Sequence, residues 1–193
     1  MIEQVTFAVL LFIGGTIFTL KILRLRKGLS LARPSERNDQ KAERWKTMTR
    51  IALGQRKMGT KPLAAFFHLI VYVGFVIINI EVIEILLDGL LGTHRILKYP
   101  LGSLYNPIMS IFEWLGVAVI IACIAFLFRR WFGRIPRLKH KELDGWPQRD
   151  AHIILYTEIV LMIALLTMNA AEEASLKNSA PFFFSNIIAQ GLA

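Results

Sequence analysis

One imidazole and three carboxylates lie in one apolar stretch of the chain, residues 61–88. They are His68, Glu81, Glu84 and Asp88. An ionisable group inside a bilayer is costly unless it is paired, ligated or wetted, so each one marks a candidate functional site. An imidazole together with carboxylates indicates redox or proton chemistry, because a neutral imidazole can bind haem iron and carboxylates can carry protons.

His68 has the surroundings of an axial haem ligand, since its aromatic and small neighbours would give a porphyrin a flat apolar surface. A structural histidine that is hydrogen-bonded to a neighbouring helix explains the position of His68 in this stretch equally well. His152, near the start of a later apolar stretch, is a weaker candidate for the opposing ligand. The spans predicted below place His68 about 10 Å into its helix and His152 roughly 6 Å nearer the surface. That mismatch favours a water-exposed histidine at a helix cap.

The carboxylates favour a site of proton transfer to or from a quinone. Glu81, Glu84 and Asp88 share one stripe of a helix, and Glu113 in the next apolar stretch can reach the same depth. Quinol oxidation releases protons, so Glu81 and Glu113 are the candidate catalytic residues. The structural alternative is that Glu81 pairs with Asn79 or Glu113 and that Asp88 is simply wetted.

Four apolar stretches are long enough to position these residues across a bilayer. The chain has 193 residues, of which 54% are apolar, and the predicted spans are 5–23, 62–87, 107–128 and 151–171. They lack the two-residue alternation of barrel strands, so the predicted fold is an all-α polytopic membrane bundle. The first span is interpreted as a retained membrane anchor and not as a signal peptide. The single cysteine, Cys123, excludes an intrachain disulfide and a four-cysteine iron–sulfur cluster in these residues.

The basic residues predict the orientation. Of the 23 Lys and Arg residues, 13 lie between positions 21 and 61 and seven between 129 and 149, whereas residues 88–105 contain two. Both basic loops should therefore face the cytoplasm, with the amino terminus outside. The net charge of +9 is explained by the basic cytoplasmic loops and their attraction to anionic lipid headgroups. No nucleic-acid partner is therefore expected. The chain is predicted to cross a membrane several times, and its location in the bacterial inner membrane is what the resemblance given below implies.

Two segments outside the spans have their own predictions. Residues 43–58 form a basic amphipathic helix, because Trp45, Met48 and Ala52 recur at helical spacing. This helix is interpreted as an anchor on the membrane surface or as a docking surface for a soluble electron donor. Residues 172–193, which follow the membrane domain 1–171, are too short to span. They are expected at the outer interface, or leading into a further segment beyond Ala193.

Three runs resemble a known family. They are Arg50-Ile-Ala-Leu-Gly-Gln-Arg-Lys-Met58, Lys61-Pro-Leu-Ala-Ala-Phe-Phe-His68-Leu-Ile-Val-Tyr-Val-Gly-Phe75 and Asp144-Gly-Trp-Pro-Gln-Arg-Asp150. Together they resemble the amino-terminal membrane part of bacterial membrane-bound iron–sulfur oxidoreductases. That part is similar to the cytochrome b gamma subunit of respiratory nitrate reductase.

The resemblance implies a subunit that exchanges electrons between cytoplasmic iron–sulfur centres and the quinone pool, not catalytic alone. It implies haem b held by His68, menaquinone or another quinone as substrate, and a heterodisulfide-reductase-like iron–sulfur module on a partner or a further segment. Electron-transfer flavoprotein is one implied donor. Asn79 stands near the place where the nitrate-reductase type has a second haem histidine. The alternative function is a haem-free membrane scaffold of a larger complex; a transporter is less favoured, since no helix is broken and no inverted repeat is present.

Overall fold

The computed structural model describes residues 2–32, 39–52, 62–132, 145–176 and 183–192. All regular structure in these ranges is helical, and four helices are long and apolar enough to cross a membrane. The predicted all-α fold with four membrane helices is therefore confirmed. The helices are α1 (Ile2–Ser30), α2 (Lys41–Ala52), α3 (Pro62–Leu91), α4 (Lys98–Leu101), a 3₁₀ helix (Gly102–Leu104), α5 (Tyr105–Phe132), α6 (Trp146–Leu176) and α7 (Phe183–Leu192).

The membrane helices are longer than the predicted spans, because an apolar run marks only the part of a helix that lies in hydrocarbon. α1 continues to Ser30 through a segment rich in Lys and Arg, which are good helix formers and keep their charges in water. α6 begins at Trp146, directly after Gly145 with its positive φ of 88°, instead of near residue 151. The predicted amphipathic helix is present as α2, and residues 53–58 of that prediction lie outside the described residues.

The chain divides into two compact units, and the boundary falls within α3. The first unit is Met1–Thr60 with Glu84–Ile96, and the second is Lys61–Ile83 with Leu97–Ala193. In the first unit the ring of Phe7 on α1 packs against Gly89, where an added Cβ would lie 2.5 Å from the ring. Among its described residues α1 has none that is buried, so its apolar surface is suited to lipid contact.

Asp88 organises the turn that follows α3 in the first unit. Its carboxylate accepts hydrogen bonds from the Thr93 hydroxyl at 2.6 Å, from the Arg95 N–H at 2.7 Å and from the Ile96 N–H at 3.2 Å. The turn also contains a positive φ of 68° at Gly92, a conformation that costs glycine little. Asp88 therefore has a structural role, because it supplies acceptors for a segment that leaves the helix.

α5 forms the centre of the second unit, because one stripe along it is buried. The stripe contains Tyr105, Met109, Phe112, Gly116, Val119, Cys123 and Leu127. Alternating steps of three and four residues are typical of helices that pack at a shallow angle, as in a coiled coil. Ile77 of α3 packs against the amino-terminal end of this stripe, and α6 packs along α5. The side chain of Glu113 is buried on the same helix.

Gly74 allows α3 to approach α5 closely, since an added Cβ would overlap the Cγ2 methyl of Val119. We expect Gly74→Ala to destabilise the second unit by about 1–3 kcal/mol, because Val119 is fully buried and β-branched and has little room to shift. The melting temperature in detergent measures the effect. Gly116→Ala is the matched control, since its Cβ would meet the Met162 sulfur at 3.8 Å, an ordinary contact. Equal melting temperatures for the two variants would contradict the prediction.

Candidate functional site

His68 lies six residues after the first residue of α3, about 9 Å along the helix axis. The residue is half-buried, and its Nδ1 atom is buried without a hydrogen-bond partner in the described part of the chain. The adjacent Phe67 meets Phe126 of α5 edge-on, with ring centroids 6.2 Å apart and planes at 73°. A buried ring nitrogen that lacks a partner costs about 1–3 kcal/mol, so this imidazole has an interaction left to make.

His152 lies deeper in its helix than the sequence predicts. Because α6 begins at Trp146, His152 also lies six residues after the first residue of its helix, about 9 Å along the axis. Its Nδ1 atom is 2.7 Å from the carbonyl oxygen of Gln148, one turn earlier. A donating Nδ1–H leaves the lone pair on Nε2, which is the tautomer that a metal-binding histidine adopts. His152 is therefore no longer at a helix cap.

Glu81 is buried in the second unit and is hydrogen-bonded to another helix. Nδ2 of Asn169 on α6 donates to Oε1 of Glu81 at 3.2 Å, and both side chains are at most 2% exposed. Of the partners predicted for Glu81, Asn79 donates instead to the carbonyl of Phe75 on its own helix. The polar bond between Glu81 and Asn169 therefore joins α3 to α6 in an apolar environment.

Glu113 binds the amino-terminal end of α7. Its Oε1 atom accepts the backbone N–H of Ser185 at 2.6 Å, and its Oε2 atom accepts the backbone N–H of Phe184 at 3.2 Å. The first N–H groups of a helix have no partner within the helix, and a carboxylate there also interacts favourably with the helix dipole. Both oxygens of this buried carboxylate are thus engaged by α7.

α7 packs against α5 and α6, so residues 183–192 of the predicted tail form a helix, while residues 172–176 of that tail belong to α6. The hydroxyl of Ser185 is fully buried and donates to the carbonyl of Leu166 at 3.4 Å. Leu166 lies ten residues before the end of α6, about 15 Å along its axis, so the chain folds back beside α6. The ring of Trp114 stacks on Phe183 at 5.9 Å and meets Phe184 edge-on at 4.7 Å.

These contacts define a group that we name the carboxylate cluster: Glu81, Glu113, Asn169 and Ser185, all buried. Asn169 follows Leu166 by three residues on α6, so its bond to Glu81 and the bond of Ser185 to Leu166 lie on one helix face. Buried carboxylates with amide and hydroxyl neighbours are suited to binding a polar ligand group and to moving a proton.

The sequence predicted the two carboxylates of the cluster but neither of the other members. Asn169 could have been found, because an amide inside an apolar run is itself expensive and needs a partner. Ser185 carries no comparable signal, since it lies in a run that is too short to span and its burial depends on α7 folding back.

The remaining carboxylates of α3, Glu84 and Asp88, belong to the first unit. Glu84 is 1% exposed and Asp88 holds the turn described above. Within the described ranges, no three His, Cys, Asp or Glu side chains converge as a group that could hold a metal ion.

Comparisons of the chain with family models, with curated proteins and with solved structures gave no match. The resemblance to the membrane part of iron–sulfur oxidoreductases therefore stays a prediction. Residues 53–61 and 144, which contribute to it, lie outside the described residues.

Proposed function

We propose that this chain is a membrane electron-transfer subunit. It exchanges electrons between the iron–sulfur centres of a cytoplasmic partner and the quinone pool, and His68 is one axial ligand of a b-type haem. The observation that carries the proposal is the imidazole of His68 in a membrane helix: its buried Nδ1 atom makes no hydrogen bond to a neighbouring helix among the described residues, and Nε2 is the atom that would bind iron. A haem ligand of this kind is a neutral imidazole beside apolar, aromatic surface, which Phe67 and Phe126 supply.

His152 is the candidate for the opposing ligand. It and His68 both lie near the helix ends that the predicted orientation puts on the cytoplasmic side. The bond between Nδ1 of His152 and the Gln148 carbonyl fixes the ring and leaves Nε2 to bind iron. When bound, the haem would supply one-electron transfer. The two histidines would hold it, and the rings of Phe67 and Phe126 would give it an apolar surface.

Glu81 is the better candidate of the two carboxylates for moving a quinone proton. Both oxygens of Glu113 already accept backbone N–H groups, so a proton on Glu113 would loosen α7. Glu81 is held by the side-chain amide of Asn169, which can donate to a protonated as well as to an ionised carboxyl group. We therefore assign proton transfer to Glu81 and place the quinone headgroup beside the bond between Glu81 and Asn169.

The test is a reduced-minus-oxidised absorption spectrum of the native complex. We expect His68→Ala to remove the b-type band, because the iron loses a ligand that no other residue of α3 can replace. His94→Ala is the control: His94 lies in the exposed turn after α3, and its loss should leave the band unchanged. The proposal fails if the complex shows no b-type band, or if the band survives in the His68→Ala variant.

A haem-free scaffold is the second candidate function, and two observations favour it. The apolar side chains of α1 are unburied among the described residues, which suits packing against helices of other subunits. The hydrogen bonds of Glu113 hold α7, which is a structural use of a buried carboxylate. A complex that assembles normally with His68→Ala and has no b-type band in either form would favour this function.

A further inference from the structure

α2 presents an apolar stripe that no part of the described chain covers. Trp45 and Met48 are 67% and 50% exposed, and Ala52 continues the stripe by one more turn. None of the 12 residues of α2 is buried. An isolated helix of this length is marginal in water, so its stability depends on a surface that accepts this stripe.

Basic side chains border the stripe on the same side of α2. Lys41, Arg44, Trp45 and Met48 line an open depression of about 350 Å³. At 100° per residue, Lys41 lies in line with Trp45 and Met48 at the first turn of α2 and Arg44 lies to one side of Met48, whereas Lys46 and Arg50 lie towards the opposite face. The arrangement puts two cations at the edge of an apolar surface, which matches the boundary between lipid phosphates and acyl chains.

We propose that α2 lies on the membrane surface and that its Lys41–Arg44 edge binds the phosphates of anionic phospholipids. α2 carries four basic side chains and one acidic one, so its charge complements an anionic leaflet. α2 begins 11 residues after Ser30, the last residue of α1, and ends 10 residues before Pro62, the first residue of α3. Each connection can therefore extend to at most about 40 Å. Because α1 and α3 both have the length and composition of membrane spans, lipid headgroups lie within reach of α2.

The test uses the full chain in vesicles and a fluorescent label that reports depth. The only native cysteine, Cys123, is replaced by Ala, and a single cysteine is introduced at Ala52 in the stripe or at Thr47 on the other face. Vesicles contain either phosphatidylcholine alone or phosphatidylcholine with about one-third phosphatidylglycerol, and spin-labelled lipids quench a label that lies among acyl chains. We expect strong quenching at position 52 in the anionic vesicles and little at position 47.

Two charge-reversal variants separate the edge of α2 from its total charge. Lys41→Glu with Arg44→Glu should lower the ratio of membrane-bound to free α2 at least about tenfold, because both cations leave the lipid boundary. Lys46→Glu with Arg50→Glu changes the charge equally on the opposite face and should lower the ratio clearly less. Equal effects of the two pairs, equal quenching in neutral vesicles, or access of aqueous iodide to position 52 in anionic vesicles would each overturn the proposal.

Discussion

Replacing Glu113 with Leu is expected to release α7 from the second unit while α5 keeps its place in the core. Two backbone N–H groups, of Phe184 and Ser185, lose their buried acceptor. An unsatisfied buried donor costs about 1–3 kcal/mol, and the favourable charge at the helix end is lost as well. This cost is removed when α7 leaves and its N–H groups reach water, so detachment is the expected response.

Cysteine reactivity measures this release. A cysteine at Ser185, a fully buried position, in a Cys123→Ala background should react slowly with a small maleimide in the otherwise unchanged protein. It should react at least tenfold faster with Glu113→Leu, since about 1.4 kcal/mol corresponds to each factor of ten. A cysteine at Asn186, which is exposed, should react quickly in both. Glu113→Gln keeps one acceptor oxygen and should lie between.

The native Cys123 distinguishes release of α7 from loss of the whole fold. This thiol is fully buried on α5, so it reports on the core of the second unit. It should stay unreactive when Glu113→Leu is the only change. Fast reaction of Cys123 would show general unfolding, and slow reaction at position 185 would show that the carboxylate does not hold α7. Either result contradicts the prediction.

Asn169→Leu is expected to lower the stability of the second unit by about 1–3 kcal/mol. The substitution removes the amide that donates to the buried carboxyl group of Glu81, and taking the partner from a buried polar group costs about 1–3 kcal/mol. Changing both residues, with Glu81→Met added, should recover much of the loss, because two apolar groups need no bond. Thermal unfolding of the four proteins in detergent gives the coupling between the two side chains. Additive losses would show that the bond contributes nothing.

Glu81→Gln separates the structural use of this residue from proton transfer. The amide oxygen of Gln still accepts from Asn169, so the melting temperature should change little. Gln cannot take up a proton, so turnover of the native complex with a quinone analogue should fall by at least about 100-fold while haem content stays the same. Glu113→Gln should lower turnover less. Unchanged turnover with Glu81→Gln would remove this residue from the quinone chemistry.

The number of membrane helices could be predicted because each is an apolar run longer than a bilayer is thick. Glu81 and Glu113 could be predicted as important because carboxylates within such runs are rare and expensive. Their partners could not be predicted. Asn169 lies 88 residues from Glu81, and Ser185 lies 72 residues from Glu113. A helix that is apolar on every side gives no sign of which face meets which neighbour.

The position of His152 shows a second limit of prediction from hydropathy. The apolar run begins near residue 151, which put this histidine at the cap, but the helix begins at Trp146 in a polar segment. Hydropathy reports the depth at which hydrocarbon begins, whereas the helix begins where backbone hydrogen bonding begins. Residues near such a boundary therefore move by more than one turn relative to the helix end, and their candidate roles change with them.

The bond between Glu113 and α7 also sets an order for assembly during synthesis. At about 5–20 residues per second, some 4–15 s pass between the addition of Glu113 and that of Ser185. α5 must therefore enter the bilayer while its carboxylate lacks the partner it has in the finished protein. An acidic residue at the centre of a helix costs about 2.5–3.5 kcal/mol at insertion, so the apolar residues of α5 must outweigh it. The second unit then closes only after α7 has been made, so a ribosome that stalls before residue 183 leaves an inserted but open bundle.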